Sequence, residues 1–118
     1  MKVCILGDGL VSLTLAKALV NEGIFVELIC NQKVKAINKT RTIGITKTNI
    51  DFLNEKIINI SKLSWEVNKI EIFLEKYKKK KILNFENEKK QLFSIIKNYK
   101  LYNLLNKNLK NNKFFKHK

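Results

Sequence analysis

Proline is absent from all 118 residues, arginine occurs once, at Arg41, and histidine once, at His117. Cysteine occurs only at Cys4 and Cys30. Three such residues are too few for the usual four-ligand His/Cys zinc site, so no metal centre is expected. Each cysteine falls in an apolar, strand-like run, where a reduced thiol behaves as a small buried hydrophobe. No run of eighteen apolar residues is present, which excludes a membrane-spanning helix from the sequence reading. Asp8 and two glycines interrupt the first apolar stretch, and no small-residue cleavage site follows it. The N-terminus is therefore not expected to be a signal peptide, and the chain is expected in the cytoplasm. Acidic residues are also scarce: ten against twenty-four basic ones, for a net charge of +14. That excess resembles a nucleic-acid signal, but all except one of the cations are lysines. Base readout favours the arginine fork. Lysine, asparagine and isoleucine are inflated together while proline is missing, the pattern of an AT-rich coding sequence. Nucleic acid is not an expected partner, whereas docking on an anionic membrane surface remains open to so basic a chain.

With 45% hydrophobic residues the chain can bury a core, and its length suits one compact domain rather than two. Lys2 to Leu6 is a short apolar run suited to a central parallel strand covered on both faces. Gly7, Asp8 and Gly9 break it. From Leu10 to Asn21 the spacing turns helical, with Leu13, Ala16 and Val20 on one face and Gly23 as a C-terminal stop. Ile24 to Cys30 is a second apolar strand, which completes a βαβ unit in thirty residues.

The remainder is less regular. Residues 31–40 are polar. Arg41 to Thr46 can be extended, and Thr46 can cap a helix over 47–55. Alternation over Ile70 to Glu75 predicts a half-buried strand, Lys78 to Lys81 a solvated turn, and Ile82 to Phe85 the returning strand. Leu92 to Ile96 is another strand candidate. Leu101, Leu104, Leu105 and Leu109 have helical spacing, and Phe114 and Phe115 form a last apolar patch.

The motif that carries chemistry is Gly7-Asp8-Gly9-Leu10-Val11-Ser12, a G-x-G-x-x-S variant of the dinucleotide fingerprint. Gly7 permits the tight turn, Gly9 lets a pyrophosphate approach the backbone, and a small third residue lets helix and strand pack. The helix start, at Leu10, Val11 and Ser12, offers unpaired N–H groups and a partial positive charge to phosphate. The usual carboxylate at the end of the second strand, which accepts from the ribose, is missing. Cys30, Asn31 and Gln32 stand there, and Asn31 or Gln32 can supply a neutral hydrogen bond instead.

KVCILGDGLVSLTLAKALVNEGIFVELIC resembles the N-terminus of the FAD-dependent hydroxylases of ubiquinone biosynthesis, relatives of para-hydroxybenzoate hydroxylase. RTIGITKTNIDFL resembles that family's arginine-containing segment and following helix. Ile70-Glu71-Ile72 with Ile82 to Phe85 resembles its first substrate-domain hairpin. Ile95 and Ile96, followed by Asn98, Leu101 and Leu105, resemble its strand-to-helix return. The resemblance implies an α/β fold: a Rossmann-like FAD-binding βαβ unit with the start of an antiparallel β substrate domain, incomplete, and a hairpin inserted at about residues 67–97. It implies FAD held by Gly7, Gly9, Leu10, Val11, Ser12 and Asn31, with Arg41 reaching the cofactor. It further implies NAD(P)H and O2 as co-substrates, a polyprenyl phenol as substrate, and peripheral attachment to the inner membrane.

The family runs to several hundred residues, and its later Gly-Asp motif and most of its substrate domain have no counterpart here. The expectation is a fragment of an aromatic-ring monooxygenase with no catalytic acid or base of its own. The alternatives are a small basic binding protein with a degenerate Rossmann turn and no activity, and a small NAD-binding oxidoreductase domain. The absent ribose carboxylate counts against the NAD reading.

Overall fold

A computed structural model of the chain describes residues 1–31, 38–86 and 92–118. It opens with β1 (Lys2–Leu6), α1 (Leu10–Asn21) and β2 (Phe25–Ile29). The two strands pair in parallel, Lys2 opposite Phe25 and Leu6 opposite Ile29. Alternation then decides the faces. Val3 and Ile5 lie level with Val26 and Leu28 on the side that faces the core, where Ile5, Val26 and Leu28 are buried with Leu13, Ala16 and Val20 of α1. Gly23, at φ +74, ends the helix: its N–H bonds to the Val20 carbonyl. The βαβ unit is thus as expected, and Gly23 has the left-handed geometry that a glycine stop requires.

The chain continues through β3 (Thr42–Thr46), α2 (Lys47–Phe52), β4 (Trp65–Val67), β5 (Lys69–Leu74), β6 (Tyr77–Glu86), β7 (Phe93–Lys97), α3 (Asn98–Lys110) and β8 (Phe115–His117). Thr46 caps α2 by accepting from Asn49 N–H at 3.4 Å. The helix then widens into a π-turn, Leu53–Ile57, closed by Ile58 N–H on the Leu53 carbonyl. β3, β7 and β4 form an antiparallel sheet with β7 in the middle, and Ile96 of β7 joins Ile50 and Ile60 in the same core as the βαβ unit. α3 buries Leu101, Leu105 and Leu109 there, packed along α1. Truncating a fully buried residue of this cluster, such as Leu28 or Leu105, would cost about 2–5 kcal/mol, a large part of an ordinary domain's stability.

Five expectations are corrected. Phe114 and Phe115 are not merely a patch: β8 is a third parallel strand, Val26 opposite Phe115 and Leu28 opposite His117, so β2 becomes the centre of the sheet. β1 is covered on one face only. Lys2, Cys4 and Leu6 are exposed on the other, Leu6 by 79%, because no element among the described residues packs there. Cys4 is therefore exposed, and Cys30 is half-buried rather than buried. Lys78 to Lys81 is strand, not turn: Leu74 pairs with Tyr77, so the hairpin turns at Glu75 and Lys76, a two-residue connection. The β5–β6 hairpin is also less covered than its alternation suggests. Ile72, Phe73 and Leu74 are all exposed, since β5 and β6 pair with each other and with no third strand among the described residues. A radius of gyration of 18.0 Å agrees with an extended shape, since a compact domain of this length has roughly 13–14 Å.

On the bare face of the sheet stands one nearly buried charge. Glu27, 6% exposed, holds Lys2 Nζ at 2.6 Å and Lys118 Nζ at 3.1 Å, one on each carboxylate oxygen. The hydrogen bond from Lys2, then that from Lys118, keeps the carboxyl below the usual carboxylate range against the opposing effect of desolvation. The stability this supplies is present above the unfolded glutamate pKa of about 4.3 and is lost as pH falls through the lowered folded value. Urea midpoints measured from pH 6 downward should fall more steeply below about pH 4 in the wild type than in Glu27→Gln. Parallel loss in both proteins would assign the acid sensitivity elsewhere.

Candidate functional site

The carboxyl ends of β1 and β2 and the start of α1 meet at one edge of the parallel sheet. Gly7 leaves β1 at φ +104, and its N–H bonds to the Ile29 carbonyl at 2.8 Å, which pins the turn to the end of β2. Ser12 Oγ lies 3.7 Å from the point where a Cβ on Gly7 would stand, so the serine fills the space beneath the turn. Gly9 is the N-cap of α1, at φ −72 and ψ 172, an ordinary extended conformation. No heavy atom lies within 4 Å of the point a Cβ on Gly9 would occupy. The glycine is not needed there for backbone freedom; its lack of a side chain leaves open space against the helix start. No side chain caps α1 and no acidic residue stands in its first turn, so its leading N–H groups at Leu10, Val11 and Ser12 keep no intrahelical partner. Val11 is 84% exposed beside them. A concave backbone with free donors at a positive helix end has the chemistry for an anion such as a phosphate.

Asn31 follows β2 at the same edge and is exposed. Gln32, the alternative ribose partner, lies outside the described residues. Arg41 is exposed at the entry to β3, and its carbonyl accepts from Asn98 N–H at 3.0 Å. β3 pairs with β7 from Thr42–Lys97 to Thr46–Phe93, so Arg41 and Asn98 are brought side by side from residues 57 apart in sequence. α3 packs along α1 and ends where the chain enters β8 at the amino end of the sheet. A helix of 13 residues is ~20 Å long, which carries Asn98 back toward the carboxyl edge. Asn98 Oδ1 is buried with no hydrogen-bond partner among the described residues, a costly state that an incoming donor would relieve. Asn98 was legible only as part of a strand-to-helix pattern; its unsatisfied oxygen has no sequence signal.

A second feature lies on the antiparallel side. Gly44, Thr46, Ile70, Leu92 and Phe93 line an open, mostly apolar cleft of about 500 Å³ between β5 and the β3–β7 pair. That volume is in the range of small-molecule sites. Among the described residues no helix is long and apolar enough to cross a membrane.

The sequence matches no protein-family model and no curated protein. Solved structures share its fold. The p-nitrophenol 4-monooxygenase of Pseudomonas putida DLL-E4 superposes with a TM-score of 0.79 at 11% identity, over 99% of this chain and 32% of that one. An FAD-containing monooxygenase from Photorhabdus luminescens subsp. laumondii gives 0.74 at 21% identity, over 99% and 30%. The 2,6-dihydroxypyridine-3-hydroxylase of Arthrobacter nicotinovorans gives 0.70 at 12%, over 98% and 28%. The chain therefore has the mixed α/β fold of part of an FAD-dependent monooxygenase, and spans about a third of the length of the structures it matches.

The two glycines should separate cleanly in stability measurements. Gly7→Ala forces a side chain into positive φ and should cost roughly 1–2 kcal/mol. Gly9→Ala meets no neighbour and should change stability by less than about 1 kcal/mol, a poorer N-cap being offset by reduced unfolded-state freedom. Chemical denaturation checks the pair; the reverse order would mean that the turn is built differently.

Proposed function

We propose that this chain supplies the nucleotide-binding portion of an FAD-dependent aromatic-ring monooxygenase. The observation that carries the reading is the open space over Gly9 at the uncapped start of α1. It lies within a fold shared with an FAD-containing monooxygenase and two aromatic hydroxylases. Gly7 shapes the turn, and the N–H groups of Leu10, Val11 and Ser12 receive the pyrophosphate. Asn31 bonds a ribose hydroxyl, more weakly than a carboxylate would. Arg41 offers its planar fork to the cofactor from the neighbouring strand end, and the orphaned Asn98 Oδ1 beside it accepts a further hydrogen bond. Bound FAD supplies the redox chemistry, with NAD(P)H and O2 as co-substrates; the protein's part is placement and exclusion of water.

The β5–β6 hairpin, within the proposed insertion at about residues 67–97, begins the substrate domain, and the apolar cleft beside Gly44 and Phe93 is suited to an aromatic ring. The finer assignment is hydroxylation of a polyprenyl phenol in ubiquinone synthesis at the cytoplasmic face of the inner membrane. It is supported by the sequence resemblance and by a net charge of +14 that favours an anionic surface.

Flavin fluorescence quenching tests the carrying observation. The chain alone should bind FAD with a micromolar or weaker Kd, since a neutral asparagine replaces a charged acceptor worth about 1.5–3 kcal/mol. Gly9→Val, which fills the open space, should weaken binding at least about tenfold, and Arg41→Ala by a similar factor. Equal binding by wild type and Gly9→Val would remove the cofactor from the glycine turn and favour a basic binding protein without one.

A further inference from the structure

Cys30 and His117, 87 residues apart in sequence, come together at the carboxyl edge of the parallel sheet. Cys30 Sγ lies 3.0 Å from His117 Nε2. The contact follows from register. β8 sets His117 opposite Leu28 on β2, and Cys30, two residues beyond Leu28, shares that face. Lys118 N–H closes onto the Leu28 carbonyl at 2.8 Å and fixes the backbone at the strand end that carries the imidazole. Cys30 is half-buried, with its apolar side against the core, while His117 is exposed. The sulfur is thus partly shielded yet reachable from the side of the ring.

The elements around the pair carry more cations than acids. On β8, Lys116 and Lys118 alternate to the opposite face, where Lys118 engages Glu27. On the turn after β1 the only acid is Asp8. α1 carries Lys17, past its midpoint and hydrogen-bonded to Asn21, and α3 carries Lys100 near its start. The start of α1, with no acidic residue in its first turn, opens at the same edge. A thiol beside an imidazole in a basic, partly exposed setting is the kind that reacts, because the thiolate is the nucleophile. Cys4, exposed on β1 and on the opposite face of the sheet, is a second thiol in the same molecule.

We propose that Cys30 and His117 form a reactive thiol–imidazole pair that exchanges with low-molecular-weight disulfides. The proton of the Cys30 thiol passes to His117 Nε2. The thiolate sulfur attacks one sulfur of the disulfide RS–SR, a new S–S bond forms, and the old one breaks. RS⁻ leaves and takes up a proton, so Cys30 is oxidised to a mixed disulfide and one half of the reagent is reduced to RSH. The pair stands whether or not the glycine turn holds a nucleotide.

The test uses the whole chain and follows both thiols by peptide mapping. With iodoacetamide at pH 6.5, Cys30 should be alkylated at least about tenfold faster than Cys4, although Cys4 is the more exposed. Incubation with oxidised glutathione should place the mixed disulfide on Cys30. In His117→Gln, which keeps an amide in place of the ring but cannot take the proton, the Cys30 rate should fall several-fold at pH 6.5 and recover toward pH 9, with the Cys4 rate unchanged. The wild-type ratio of the two thiols needs no variant and stands as a separate arm. Equal rates at every pH, a faster Cys4, or a His117→Gln profile that overlays the wild type would overturn the proposal and leave the contact as a strand-end hydrogen bond.

Discussion

The parallel sheet and the helix that joins its first two strands are built around β2. Its Val26 and Leu28 face the helices and are fully buried, and its two edges take β1 on one side and β8 on the other, both in parallel. Burying a strand's backbone obliges each N–H and C=O to find a partner. β2 meets that demand with residues from the two ends of the sequence. α1 is located by its connection to both first strands, and α3 by packing on α1 and handing the chain to β8. Glu27 adds the electrostatic version of the same constraint. A carboxylate at the middle of a central strand is tolerated because Lys2 and Lys118, on the flanking strands, close over it.

The candidate site follows from that arrangement rather than from any one segment. Parallel strands deliver their carboxyl ends, and the helices that follow or return to them, to a single edge. The glycine turn, Asn31, the Cys30–His117 pair and the start of α3 all come to that edge by connectivity alone. The antiparallel sheet contributes differently. Its β3–β7 pairing sets Arg41 beside Asn98, and its own surface carries the apolar cleft. The parallel edge thus offers unpaired backbone donors and the antiparallel side an apolar hollow.

What could be read from the residues was what local periodicity and glycine chemistry encode. β1, α1 and β2 follow from apolar spacing, and Gly7 and Gly23 are where positive φ is needed. Pairings between distant residues were not legible. β8 is three residues long and carries no alternation of its own; it becomes a strand because β2 has a free edge. Its histidine gains a partner by the same route. The lysine run at 78–81 misleads for a related reason. Charge usually marks a turn, but here the run lies in β6, and the turn falls earlier, at Glu75 and Lys76. Burial of β1 was overestimated because an apolar strand reports what it can be covered by, not what covers it.

The dependence of β2 on both ends of the sequence also orders events during synthesis. The βαβ unit needs only the first thirty residues, and such local contacts form early as a chain emerges. Until residues 115–118 leave the ribosome, β2 has an open edge, Glu27 lacks the cation from Lys118, and the sulfur of Cys30 is without its imidazole. The nascent chain therefore passes through a stage with a sticky parallel edge and a half-neutralised carboxylate, the condition in which chaperone holding matters most. The short strand at Phe115–His117 is the one that closes the free edge of β2.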